Sequence, residues 1–151
     1  MIKILFVCYG NICRSPMAEF ILKDMVNKKG IQENFLIESK ATSSEELGND
    51  MYYLAKEKLI EKNIPFSKRS VIKLNKSDYN KYDYIIGMAD YNIEDINNII
   101  ELDKENKVYK LLEFIGSNKD IDDPWYTRDF ETAYNEIYAG CNGLLKYLNF
   151  N

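Results

Sequence analysis

Apolar runs of strand length alternate along the chain with stretches in which apolar residues recur at helical spacing. The first run, residues 2–7, is typical of a parallel strand that is covered on both faces. Further short runs predict three more strands, at 35–37, 84–88 and 107–111. Together these runs predict a four-stranded parallel sheet with the strands separated by helices.

The first helix is predicted to start with Ser15 as its N-cap and Pro16 at its first position, and to end at Gly30. Helical spacing predicts three more helices, around 51–59, 93–100 and 130–148. The alternation favours an α/β fold of three α/β/α layers, in one domain spanning 1–151. Ligands of such folds bind beyond the carboxyl ends of the strands, which draws attention to the loop after the first strand.

The amino-acid composition excludes several classes of function. The 46% hydrophobic and 29% charged residues are typical of a globular protein, and a net charge of −4 gives no general attraction to nucleic acid. No stretch of about 18 apolar residues occurs, so membrane insertion is not expected, and we expect a cytoplasmic protein with reduced thiols. The absence of histidine excludes Ser-His-Asp and Cys-His catalysis and histidine-based zinc sites, and no metal or cofactor is expected. Three cysteines do not suggest a disulfide framework.

The loop after the first strand carries the spacing C-x5-R-S, from Cys8 to Ser15. Successive backbone N–H groups in such a loop can form an anion-binding nest, and the following helix adds its N-terminal donors. Gly10 and Asn11 are residue types that tolerate the positive φ of such a nest. Arg14 can bind phosphate oxygens with its planar fork, while the same field favours the thiolate of Cys8.

Each of these features also has an ordinary interpretation. A cysteine at a strand end is usually a packing residue, and Ser15-Pro16 is ordinarily only a helix start. A nucleotide-binding P-loop is excluded, because no G-x4-G-K-[ST] motif occurs. The agreement of strand, loop and helix nevertheless favours a phosphate site.

The segment Cys8-Tyr9-Gly10-Asn11-Ile12-Cys13-Arg14-Ser15-Pro16 resembles the active-site loop of the low-molecular-weight protein-tyrosine phosphatases. The resemblance extends over essentially the whole chain. It implies a phosphocysteine intermediate on Cys8, phosphate binding by Arg14 and the loop, and loop-shaping roles for Asn11 and Ser15. It also implies that Cys13 can trap oxidised Cys8 as a disulfide, unless Cys13 is simply a buried hydrophobic residue.

The second motif of this family is Asp-Pro followed by an aromatic residue, present here as Asp123-Pro124-Trp125. By itself Asp-Pro is a common turn. Beside a phosphate loop it supplies a general acid for the leaving group, and the motif selects Asp123 over Asp122.

Aromatic residues Tyr9, Trp125 and Tyr126 are predicted to wall the entrance, which favours an aryl phosphate over the shorter phosphoserine. Ile12 also favours phosphotyrosine, since the related phosphoarginine phosphatases carry threonine there. The expected partner is therefore a phosphotyrosine-containing protein, with phosphate or vanadate as inhibitory anions. Trp125 has the alternative role of packing its own loop.

The chain departs from the family pattern at several places. Arg69 stands where a loop-bracing histidine is common, Glu45-Glu46 replaces an aromatic residue, and Met88-Ala89 replaces a Met-Asp pair. Ser39 aligns with a loop-supporting serine, but it could equally be an ordinary strand-end hydroxyl. These departures bear on loop rigidity and substrate preference rather than on the chemistry.

Two other functions fit parts of the pattern. A thioredoxin-coupled arsenate reductase also uses C-x5-R-S, but it needs two further cysteines in the middle of the chain. Residues 79–91 contain none, and Cys141 falls on the predicted core face of the last helix. A non-catalytic phosphate-binding module would need neither Cys8 nor Asp123.

Overall fold

The computed structural model describes residues 1–151 and contains one parallel sheet of four strands. The strands are β1 (Ile2–Cys8), β2 (Phe35–Ala41), β3 (Tyr84–Gly87) and β4 (Val108–Lys110), and they lie in the order β2-β1-β3-β4. The helices are α1 (Arg14–Lys28), α2 (Tyr53–Glu61), α3 (Asp78–Lys81), α4 (Asp90–Ile100), α5 (Pro124–Thr127) and α6 (Phe130–Tyr147), with 3-10 helices at Gln32–Asn34 and Leu111–Ile115. None of the helices is both long and apolar enough to cross a membrane.

Side chains of β1 alternate between two hydrophobic clusters, one on each face of the sheet. Ile4 and Phe6 belong to the larger cluster, which also contains buried residues of α1 and α6. Leu5 and Val7 belong to the smaller cluster, which contains Ile96 of α4. Both faces of the strand are therefore buried, as its apolar run predicts, and the three-layer α/β/α architecture with a four-stranded parallel sheet is confirmed.

The second strand is longer than its apolar residues indicate. It pairs with β1 over its whole length, up to the pair formed by Cys8 and Ala41. Its later residues are polar because β2 is an edge strand, and each of them has a polar partner. Glu38 accepts a hydrogen bond from the hydroxyl of Tyr82, and Lys40 pairs with Asp78 at 2.8 Å.

The predicted N-cap of the first helix is wrong by two residues. The helix begins at Arg14 after Cys13, and no side chain caps it. The hydroxyl of Ser15 is not free for capping, because it is bound to two groups of the preceding loop. Pro16 is tolerated inside the first turn, where backbone N–H groups have no helical acceptor. Gly30, with φ +70°, follows the end of the helix as predicted.

Candidate active site

Cys8 is the last residue of the central strand, and its side chain is only 3% exposed. Its Sγ atom accepts a hydrogen bond from the backbone N–H of Asn11 at 3.3 Å and lies 2.9 Å from Oγ of Ser15. Since Nδ2 of Asn11 donates to the same Oγ at 2.6 Å, the Ser15 hydroxyl hydrogen is free to point at the sulfur. Two donors thus stabilise negative charge on Cys8.

The backbone of the phosphate loop turns at Asn11, which has a φ of +58°. Asparagine is one of the few residues with a side chain that adopt this left-handed conformation readily. Gly10, the other residue of this loop that tolerates a positive φ, does not adopt one. A Cβ atom on Gly10 would lie 3.7 Å from both Cγ of Glu46 and Cγ1 of Ile12, an ordinary contact distance.

Arg69 contacts the phosphate loop from a segment far along the chain. Its Nη2 atom donates to Oδ1 of Asn11, which completes a chain of contacts from Arg69 through Asn11 and Ser15 to Cys8. The other terminal nitrogen, Nη1, is buried without a hydrogen-bond partner. Burial lowers the pKa of Arg69, and the nearby charge of Glu19 opposes that effect. Arg69 therefore contacts the phosphate loop, as a loop-bracing residue would.

Ser39 is hydrogen-bonded to helix α1. Its hydroxyl donates to Oε1 of Glu19 at 2.6 Å, whose other oxygen pairs with Lys23. Its side chain forms no hydrogen bond with the phosphate loop, which agrees with an ordinary hydroxyl of the strand and not with a loop-supporting one. The serine instead ties the edge strand β2 to helix α1.

Arg14 is 1% exposed, and its guanidinium joins three segments of the chain. Nη1 donates to the carbonyl oxygen of Ile121 at 3.0 Å, and Nη2 donates to the hydroxyl of Tyr91 at 2.5 Å and to Oδ2 of Asp123 at 3.4 Å. Burial by itself would lower the pKa of Arg14. The neighbouring Cys8 and Asp123 have a larger effect in the opposite direction, so the pKa of Arg14 is raised. Nε is buried without a partner, so one donor of this cation is unused.

Asp123 is held at the start of the short helix α5. Its Oδ1 atom accepts a hydrogen bond from the N–H of Trp125 at 3.0 Å, with Pro124 at the first helical position. Its other oxygen faces Arg14. Asp122 is exposed and has neither a hydrogen bond nor an ion pair through its carboxylate. Of the two aspartates, only Asp123 therefore reaches the arginine, as the Asp-Pro motif predicts.

These groups surround one cavity of about 140 Å³. The candidate residues that line it are Cys8, Tyr9, Gly10, Asn11, Ile12, Cys13, Arg14, Asp123, Trp125 and Tyr126, together with Glu45 and Glu46. Ser15 is fully buried and lies behind the cysteine rather than at the cavity surface. A larger groove, of about 470 Å³, lies along α1 and β2 and contains no cysteine.

Aromatic side chains surround the entrance. Tyr9, Trp125 and Tyr126 are exposed, Tyr126 to 81%. Trp125 packs edge-on against Tyr52, with 4.6 Å between the ring centroids. The N–H of Tyr52 donates to the carbonyl oxygen of Ile12 at 2.9 Å, so Tyr52 connects Trp125 to the phosphate loop.

Two residues of this region escaped the sequence interpretation, Tyr91 and Tyr52. Tyr91 follows β3, which lies next to β1, and position at the carboxyl edge of the sheet is the signal that could have identified it. The backbone of the Met88-Ala89 pair is held by a side chain of the following helix. Oδ1 of Asn92 accepts hydrogen bonds from the N–H groups of Met88 and Ala89, at 3.1 and 3.0 Å.

The other two thiols lie in different surroundings. Cys13 is 3% exposed and lines the cavity, and burial raises its pKa well above the ordinary value. Cys141 is completely buried in the larger hydrophobic cluster, as its place on the helix predicts. No group of three or more Cys, Asp or Glu side chains has an arrangement that could hold a metal ion.

Comparison with known proteins gives a consistent result. Residues 3–151 match the family model described as low molecular weight phosphotyrosine protein phosphatase. The chain is 34% identical over 147 residues to the low molecular weight protein-tyrosine-phosphatase YfkJ of Bacillus subtilis, covering 96% of this chain and 94% of that protein. It is also 34% identical over 149 residues to PtpA of Staphylococcus aureus, another protein of that description, covering 98% of this chain and 94% of that protein.

Solved structures agree with the sequence matches. The crystal structure of YfkJ superimposes with a TM-score of 0.94, covering 99% of this chain and 95% of that one at 34% identity. The low molecular weight protein tyrosine phosphatase of Streptococcus pyogenes has a TM-score of 0.88 at 37% identity, covering 98% of this chain and 93% of that one.

Proposed function

The chain belongs to the low-molecular-weight protein-tyrosine phosphatase family, and on that premise we propose that it hydrolyses phosphotyrosine in proteins through a phosphocysteine on Cys8. The observation that carries the proposal is that Cys8, Arg14 and Asp123 line a single cavity. Phosphoproteins are the substrate class of the family. We further propose that residues 1–151 act as one catalytic domain.

In the first step the Cys8 thiolate attacks phosphorus, so that an S–P bond forms while the P–O bond to the tyrosine breaks. The N–H of Asn11 and the hydroxyl of Ser15 hold the sulfur in place for this attack. Arg14 and the backbone amides of the loop are assigned to bind the phosphoryl oxygens and to stabilise the charge of the transition state. The unused Nε of Arg14 is a donor available to that group.

Asp123 supplies the proton that the departing tyrosine oxygen needs. In the second step the resulting carboxylate takes a proton from water as the water attacks phosphocysteine. The S–P bond breaks, inorganic phosphate leaves and the thiolate of Cys8 is restored. Protons and electrons balance without a metal or cofactor.

Substrate binding is assigned to the loop residues and to the aromatic entrance. Tyr9, Trp125 and Tyr126 line the cavity above Cys8, so a ring attached to the phosphate has apolar surfaces on which to pack. Ile12 contributes a further apolar surface. A phosphoserine side chain offers no ring for these contacts, so we propose a preference for aryl phosphates. Phosphate and vanadate are proposed as competing anions, and no nucleic acid partner is proposed.

The proposed mechanism needs Cys8 in its reduced form, and thiols stay reduced in the cytoplasm, so we propose a cytoplasmic location for the protein. Neither rival function has comparable support. An arsenate reductase relay needs additional accessible thiols, whereas Cys141 is completely buried. A binding module has no use for a carboxylate beside the phosphate-binding arginine.

Turnover of p-nitrophenyl phosphate by Cys8→Ser tests the mechanism. We expect activity to fall to background while vanadate binding, followed by calorimetry, persists. Cys141→Ala is the matched control, because it removes a thiol that lies in the core, and its activity should remain near that of the unaltered protein. Near-normal hydrolysis by Cys8→Ser would contradict the mechanism. Activity should also survive exhaustive chelation.

A further inference from the structure

Two carboxylates lie at the entrance of the cavity without any cationic partner. Glu45 and Glu46 belong to the segment between β2 and α2 and line the same cavity as Cys8 and Arg14. Oε1 of Glu45 accepts a hydrogen bond from the hydroxyl of Tyr9 at 2.9 Å. Oε2 of Glu46 accepts one from Nδ2 of Asn49 at 2.6 Å. Neutral donors thus position both side chains and leave their charges uncompensated.

The inner end of the cavity contains a cation, Arg14, beside Cys8 and Asp123. Arg14 is 1% exposed and has a buried, unpartnered Nε atom. Glu46 lies beside the phosphate loop, since a Cβ atom on Gly10 would be 3.7 Å from its Cγ. A ligand in the cavity therefore meets a cation at its inner end and carboxylates beside its outer end.

The segments around the entrance contain few free cations to balance these carboxylates. Residues 42–52, 88–95 and 116–129 together contain ten acidic residues and two basic ones. Four of the acidic residues have ion-pair partners, since Asp50 pairs with Lys56, Asp90 and Asp120 pair with Lys110, and Asp123 pairs with Arg14. The other six have no ion pair. Of the two basic residues, Lys119 pairs with Glu136, which leaves Arg128 as the cation without an ion pair in these ranges. Asp122, on the segment before α5, adds another carboxylate without an ion pair. The field outside the phosphate site is therefore negative.

We propose that Glu45 and Glu46 select phosphotyrosine segments in which lysine or arginine flanks the phosphotyrosine. This inference rests on the proposed phosphatase function. The phosphoryl group is common to all substrates, so its repulsion by the glutamates does not discriminate among them, whereas a flanking charge does. An exposed ion pair changes binding by up to about fivefold, and salt screens it.

The test compares two phosphotyrosine peptides that differ only in having lysine or glutamate on both sides of the phosphotyrosine. At low ionic strength we expect kcat/KM to be about 5- to 20-fold higher for the lysine peptide, with a smaller ratio at high salt. In Glu45→Gln/Glu46→Gln the ratio should fall to about one to three. Because the ratio is taken within each variant, a general change in activity cancels.

The control variant is Glu33→Gln/Glu105→Gln, which changes the net charge by the same amount. Both residues precede strands, at the edge of the sheet opposite the cavity, so this variant should keep the ratio of the unaltered protein. Equal rates for the two peptides, or a ratio that the entrance substitutions leave unchanged, would overturn the inference while leaving the phosphatase function intact. Failure to hydrolyse either peptide or p-nitrophenyl phosphate would instead overturn the function, and the inference with it.

Discussion

Replacing Arg69 with alanine tests whether this residue braces the phosphate loop. The substitution leaves Oδ1 of Asn11, a fully buried residue, without its charged donor. An unsatisfied buried acceptor costs about 1–3 kcal/mol. Part of that cost is offset, because Nη1 of Arg69 is itself buried without a partner and burial lowers the pKa of the side chain. We therefore expect the free energy of unfolding to fall by about 1–2 kcal/mol, which corresponds to about 2–8 °C in Tm at this chain length.

The effect on activity should be larger than the effect on stability. Asn11 holds Ser15 at 2.6 Å, and Ser15 in turn lies 2.9 Å from the sulfur of Cys8. Since displacements of about 1 Å at a reacting group can cost 100-fold, we expect kcat to fall about 10- to 100-fold. Thermal unfolding and p-nitrophenyl phosphate kinetics measure the two effects. Lys68→Ala is the control, because Lys68 is exposed and has no hydrogen bond or ion pair through its side chain.

A double-mutant cycle identifies the route of the effect. If Arg69 acts through Asn11, then Arg69→Ala should add less than twofold to the loss already caused by Asn11→Ala. Losses that multiply would show that Arg69 acts on the site independently, for example through its charge. Normal kcat and normal Tm in Arg69→Ala would refute the bracing role altogether.

Two further substitutions test the remaining assignments. Asp123→Asn should lower kcat about 10²- to 10⁴-fold for substrates with poor leaving groups and less for good ones, whereas Asp122→Asn should be mild; equal losses across a leaving-group series would indicate a structural role. Cys13→Ser should retain most activity when reduced but recover poorly with thiol after peroxide treatment, because Cys13 is expected to trap oxidised Cys8 as a disulfide. Recovery as complete as in the unaltered protein would leave Cys13 only a packing role.

Local sequence patterns predicted those strands and helices whose buried positions are occupied by apolar residues. The central strand β1 is apolar because both of its faces are covered, so its sequence identifies it. The edge strand β2 continues through polar residues whose partners, such as Asp78 for Lys40, lie far along the chain. The true length of β2 could therefore not be predicted from its own sequence. The four-residue helices α3 and α5 are too short to show any periodicity.

The residues of the candidate site likewise fall into those that a local motif identifies and those that only the three-dimensional structure identifies. Cys8, Arg14 and Asp123 were predictable because each belongs to a contiguous motif. The contact between Arg69 and Asn11 spans 58 residues, and the contact between Tyr91 and Arg14 spans 77. Such pairs depend on how the loops at the carboxyl edge of the sheet meet in three dimensions. The three-dimensional structure is likewise needed to see that the Ser15 hydroxyl contacts Cys8 and does not cap the helix.

The 3.4 Å contact between Arg14 and Asp123 places a carboxylate of the protein beside the cation that the proposed mechanism assigns to phosphate binding. Oδ2 of Asp123 faces Nη2 of the guanidinium, so a phosphoryl oxygen that approaches this nitrogen competes with a group of the same chain. Tethering gives that carboxylate a high effective concentration beside Nη2. Nε of Arg14 has no such competitor. Under the proposed mechanism, Asp123 therefore weakens the binding of inorganic phosphate through Nη2, while Nε remains available to it.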